Sequence, residues 1–178
     1  MNSTNQYRQA IHDWIADYAD DDWSGWYSVS LTMRQSRRIM TDPVSSRRNT
    51  KRAETKGDFV VELDEIQASQ NMRHFLTRLN KKIYGAAFTR YNKRVDAVPV
   101  FEYDKSNKLH YHLLIKVPNR ISEHQLNALI LTNWMKTNWG LWEMDCKDTY
   151  DSGWLRYITK DTTQDFTNID VPNTTLND

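Results

Sequence analysis

The chain has 178 residues and a mass of 21.2 kDa, which suits one domain with a real core and leaves little room for a second. Hydrophobic residues make up 39% and charged ones 26%, which excludes wholesale disorder, and no run reaches the ~18–20 apolar residues of a membrane helix. The net charge of +1 hides two opposed blocks: Arg34 to Arg94 holds 15 Lys/Arg against 6 Asp/Glu, and the rest holds 9 against 17.

Such asymmetry points to one face meant for an anion, with solvated basic loops as the plain alternative. The single cysteine, Cys146, excludes an internal disulfide and a multi-cysteine zinc site, and no phosphate-binding G-x-x-x-x-G-K-[ST] loop occurs. The N-terminus lacks a basic-then-apolar leader, so a soluble intracellular domain is expected.

In chain order, Tyr7, Ile11, Trp14, Ile15 and Tyr18 recur at helical spacing across residues 5–19. Trp26 to Met33 is aromatic and β-branched and reads as a strand. Residues 34–57 are polar and basic, too long for an ordinary connection, and read as a functional arm. Phe59 to Leu63 can return as a short strand. Ile66 to Tyr84 carries Met72, Phe75, Leu76, Leu79 and Ile83 on one helical face, with Gly85 as a stop.

Val98 to Tyr103 and Leu109 to Val117 are two strand patterns around a five-residue turn, residues 104–108. Ser122 with Gln125 forms a capping box that opens the next helix. Leu141 to Cys146 alternates as a strand, and Asp151-Ser152 can cap a short helix carrying Trp154, Tyr157, Ile158 and Lys160. Residues 161–178 are polar and acidic and read as a frayed tail behind a single domain over 1–160.

The core order is β-α-β-β-α-β. That is an α+β, ferredoxin-like arrangement whose first and third strands lie at the centre of an antiparallel sheet, with an N-terminal helix and a C-terminal helix added.

Chemistry concentrates on the third strand. His110 and His112 are two apart, so both leave one face. A five-residue turn pairs Tyr103 with Leu109 and Glu102 with His110, and directly opposed residues have Cβ atoms about 4.5–5.5 Å apart. Glu102, His110 and His112 then converge as two imidazoles and a carboxylate, a set that suits Mn²⁺ or Mg²⁺ holding phosphate oxygens, with Zn²⁺ also able to bind. Two unrelated histidines on a solvent face are the bland alternative. Tyr157 and Lys160, three apart, share a face of the last helix. A tyrosine hydroxyl, with a pKa near 10, attacks usefully only where a metal polarises the electrophile.

These signals resemble, in their order, the HUH endonucleases, and specifically the single-tyrosine initiators of rolling-circle replication. Tyr27-Ser-Val-Ser-Leu-Thr32 looks like the first motif, His110-Tyr111-His112 with Glu102 like the second, and Tyr157-Ile-Thr-Lys160 like the third. The resemblance spans residues 26–160. It implies site-specific nicking and rejoining of single-stranded DNA at a phage, virus or plasmid origin through a 5′-phosphotyrosine bond. Tyr157 would be the nucleophile, Lys160 its helper, and Glu102, His110 and His112 the ligands of Mn²⁺ or Mg²⁺.

The implied partners are single-stranded DNA, an origin duplex or hairpin, and a host helicase, in the cytoplasm of a bacterial or archaeal cell and away from membranes. Arg34, Arg37, Arg38, Arg47, Arg48, Lys51, Arg52, Arg73, Lys81 and Lys82 are the candidate DNA contacts on the basic block. Two other readings stand beside this one. The first is a single-tyrosine transposase of the same superfamily, and the second a non-catalytic single-strand binder that stacks bases on its sheet.

Overall fold

The computed structural model describes residues 6, 9–10, 13–15, 17–18, 22–39, 59–149 and 168–177. The described residues between 6 and 18 are helical. Strand β1 (Trp26–Met33) is followed by β2 (Ser36–Ile39), β3 (Phe59–Glu62), helix α1 (Glu65–Tyr84), helix α2 (Ala86–Tyr91), β4 (Ala97–Tyr103), β5 (Leu109–Lys116), helix α3 (Glu123–Trp134) and β6 (Gly140–Asp148). One four-stranded sheet runs β4-β5-β1-β6 with every pair antiparallel. Its central strands are β1 and β5, the first and third of the β-α-β-β-α-β core, as the sequence pattern predicts.

Local chemistry fixes the boundaries. The Asp64 side chain accepts from the Gln67 amide at 2.7 Å and starts α1, and Ser122 with Gln125 forms the capping box that starts α3. At Gly140 a Cβ would lie 2.1 Å from the Trp134 carbonyl oxygen, so only glycine fits the turn from α3 into β6. Asn71 bridges that turn to α1, donating to Thr137 Oγ1 at 3.0 Å and accepting from the Trp139 amide at 3.2 Å.

The sheet buries both faces unequally. On one, α1 and α3 press Met72, Phe75, Leu79, Leu126, Ile130 and Trp134 onto Val29, Leu31, Tyr111, Leu113 and Ile115. On the other, a smaller cluster joins Trp26, Val98, Val100 and Leu114 to Ile15, Trp23 and Ile169. That second cluster covers only the half of the face remote from the β4–β5 turn.

Three sequence expectations change. The arm over 34–57 begins as strand β2, paired with β3 in a two-stranded ribbon, while residues 40–58 lie outside the described residues. Helical structure resumes directly after Gly85, because that glycine (φ 55°) ends α1 and re-aims the chain into the short α2. Most of all, the end of the chain does not fray. Residues 168–177 run along β4, with bridges Val100–Ile169 and Ala97–Thr175.

Ile169 is buried there, and the buried Asp170 carboxylate accepts from Ser69 Oγ, Tyr111 Oη and Asn173 Nδ2. The stretch holds its place through an edge strand's free backbone groups and one polar hub, which hydrophobic periodicity cannot register. Among the described residues no helix is long and apolar enough to cross a membrane.

Candidate metal centre

The site begins with a turn. Asp104 Oδ1 accepts from the amides of Ser106 at 2.7 Å and Lys108 at 2.9 Å, and Asn107 takes the left-handed conformation at φ 60°. These bonds close the five-residue loop and hold the register Tyr103–Leu109 and Glu102–His110, the pairing expected from loop length. A slip of one residue would turn Glu102 to the helix-covered face.

With the register set, the alternation of β5 sorts its side chains. Leu109, Tyr111, Leu113 and Ile115 point into the main core, while His110 and His112 stand on the opposite, open face. Glu102 Oε2 lies 2.7 Å from His112 Nε2 and 3.5 Å from His110 Nε2. One ligand atom from each of Glu102, His110 and His112 falls within 4.8 Å of the others, so this half-buried cluster could hold a metal ion.

Sequence reasoning misses a fourth group. Ser30 sits opposite His112 in the β1–β5 register, and its Oγ is 3.1 Å from His112 Nδ1. A partner on Nδ1 fixes the ring and leaves Nε2 to face the ligand, the usual outer support of a metal-bound histidine. The signal that would have found Ser30 is its place inside the first motif, two residues before Thr32 on the same face.

Burial pushes the His112 pKa below the ordinary imidazole value, outweighing the upward pull of Glu102. His112 is therefore neutral at pH 7, the form a metal needs. Thr32 lies where β1 shifts register against β6, and its hydroxyl donates to the Glu143 carbonyl at 2.8 Å. Beside it opens a cleft of about 540 Å³ between His110, Thr32, Arg34, Lys108 and Glu143.

The other candidate residues distribute as follows. Arg34 is exposed and lines this cleft. Arg37 lies over the Trp139 ring at 5.3 Å, and Arg38 is exposed on the same ribbon strand. Arg73, Lys81 and Lys82 are exposed on α1, Arg73 in its middle and the two lysines in its last turn. Tyr157, Lys160, Arg47, Arg48, Lys51 and Arg52 lie outside the described residues.

Among the described tyrosines none stands on the open half of the sheet. Tyr27 and Tyr111 face the helices, where a carboxylate (Glu123 beside Tyr27) and burial (Tyr111) push their hydroxyl pKa values up. Tyr18 packs over the closed half with its hydroxyl on the Asn177 carbonyl.

An antiparallel α+β sheet that mounts two histidines and a glutamate on its open face, with ligand atoms free to meet one ion, defines the class: a protein with a candidate metal centre built on a β-hairpin. Residues 29–166 match the family model of the ORF2-type replication-associated proteins, which covers most of the chain, and the chain belongs to that family. No curated protein and no solved structure matches it. Membership gives the chain a role in replication initiation.

Proposed function

We propose that the chain is a single-tyrosine HUH endonuclease that nicks and rejoins single-stranded DNA at a replication origin. The observation that carries this reading is the convergence of Glu102, His110 and His112 on one open sheet face, within a replication-associated family. The donor set fits the group: two neutral imidazoles and a carboxylate, with His112 steadied from behind by Ser30. A divalent ion bound there supplies Lewis-acid polarisation of a phosphoryl oxygen and orientation of the phosphate.

The chain's own residues do the rest. Glu102 and Ser30 hold the imidazoles in place. Arg34 and Lys108 at the adjoining cleft offer cations to the flanking phosphates. The Tyr157 hydroxyl attacks the scissile phosphorus in line, its O–P bond forming as the bond to the 3′ oxygen breaks. The tyrosine proton leaves to solvent or a nearby base, and the departing oxygen ends as a 3′-OH. Lys160 steadies the charge that moves.

Chain connectivity supports this assignment: the backbone leaves β6 at Thr149, bonded to Trp26, and returns at Asn168, bonded to Phe101. Tyr157 lies between these two anchors. A base-stacking binder is disfavoured because, besides the histidines, the central strands present one aromatic ring on this face, Trp26, and it is buried.

The test is an SDS-stable protein–DNA adduct on circular single-stranded DNA with Mn²⁺, located by peptide mapping. We expect the adduct on Tyr157, absent with chelator and absent in Tyr157→Phe, while binding to DNA persists. An adduct in Tyr157→Phe, or none under any divalent ion, contradicts the proposal.

A further inference from the structure

A second concave site opens at the other end of the molecule. It has a volume of about 780 Å³ and is walled by the end of α1, the segment between α2 and β4, and the turn after β5. Four cations line it, Lys93, Arg94, Lys116 and Arg120, against one carboxylate, Asp96. Among the described residues none of the four makes an ion pair. Asp96 is engaged elsewhere, by the backbone amide and side-chain amide of Asn177.

Both guanidinium groups are held in advance. Arg94 lies over the Phe88 ring at 4.9 Å and donates from Nε to Asn92 Oδ1 at 2.9 Å. Arg120 lies over Tyr84 at 5.6 Å. Stacked arginines with no carboxylate partner keep their outer N–H groups ready for phosphate oxygens at small entropic cost. Tyr91 adds a ring that is 73% exposed among these charges, an unusual cost unless a flat apolar surface covers it. Lys81 and Lys82 extend the positive surface along the last turn of α1.

We propose that this pocket is a second nucleic-acid site, holding phosphates on Arg94, Arg120, Lys93 and Lys116 and stacking a base on Tyr91. It rests on the reading of the chain as a single-stranded-DNA enzyme and extends it to the strand flanking the nick. Lys116 stands on the same β5 face as His110, six residues on, which at strand rise is about 20 Å. A strand that occupies the metal centre therefore reaches the pocket only if it runs several nucleotides beyond the scissile phosphate.

The test uses the full chain in chelator, so that binding is read without cleavage, with fluorescent oligothymidylates of about 6 and about 30 nucleotides, bracketing common single-strand site sizes. Arg94→Gln with Arg120→Gln should lower the slope of log affinity against log salt by about 1.4 for the long strand, two single-strand phosphate contacts' worth. Tyr91→Ala should weaken long-strand binding by about tenfold. Binding of the short strand should change little with either. Circular dichroism checks folding, and Lys93→Gln with Lys116→Gln provides an independent pair should the arginine variant unfold.

Unchanged slope and affinity in both pairs would overturn the proposal, as would equal losses on short and long strands. Adduct formation with Mn²⁺ is scored separately. Its absence, with the pocket effects intact, would refute the nuclease reading and leave the second site standing.

Discussion

One sheet face carries two opposite environments. Near the β4–β5 turn, Glu102, His110, His112 and Ser30 form an open polar half. Toward the other end, Trp26, Val98, Val100 and Leu114 are sealed under Ile15, Trp23 and Ile169. The same alternation of β5 places His110, His112 and Leu114 in one row, so what separates the halves is the covering elements and not the strand. The N-terminal helical segment and residues 168–177 close one half and stop short of the other. The fold thus confines exposed chemistry to a rigid patch backed by the main core.

Breaking the closed half should cost the most. Trp26 is 1% exposed and packs edge-on to Tyr18, so Trp26→Ala should destabilise the domain by about 3–5 kcal/mol in denaturant titrations. Ile169→Ala should cost about 2 kcal/mol or more by the same measurement, and a loss near zero would return residues 168–177 to the status of a tail.

In the open half the same truncation should spare the fold and strike the ligand. Ser30→Ala removes the partner of His112 Nδ1 and should weaken metal affinity about ten- to a hundredfold in calorimetric titration, with the melting temperature nearly unchanged. Comparable losses of stability in both halves would dissolve the contrast.

The smallest effect is on pH. Because burial holds the His112 pKa below its unfolded value, the neutral ring is favoured in the fold. Stability is full above the ordinary imidazole value and falls as pH drops through it toward the folded one. His112→Gln should flatten that fall in urea titrations between about pH 7 and pH 5.

Much of this site could be read in the sequence because strand geometry is arithmetic. A period of two put His110 and His112 together, and a five-residue turn brought Glu102 across. The order of strands in the sheet followed from the β-α-β-β-α-β pattern. What escaped has equally physical reasons. Ser30 belongs to another strand, and nothing local says that β1 lies beside β5 in that register.

Residues 168–177 look like a tail because their hold comes from bridges to β4 and from a buried carboxylate, Asp170, bonded to Tyr111 and Ser69. A polar hub carries no hydrophobic period. The basic pocket gathers residues from α1, from the segment before β4 and from the turn after β5, so its charge density is invisible along the chain. The long basic block drew attention to the arm instead.

The most direct measurement of the central claim is a Mn²⁺ titration of the full chain followed by electron paramagnetic resonance, comparing wild type with the Glu102→Ala, His110→Ala, His112→Ala triple variant. The account predicts one ion bound per wild-type chain, its signal broadened by imidazole nitrogen, and none on the folded variant. One ion bound with the same affinity after all three ligands are gone would contradict it.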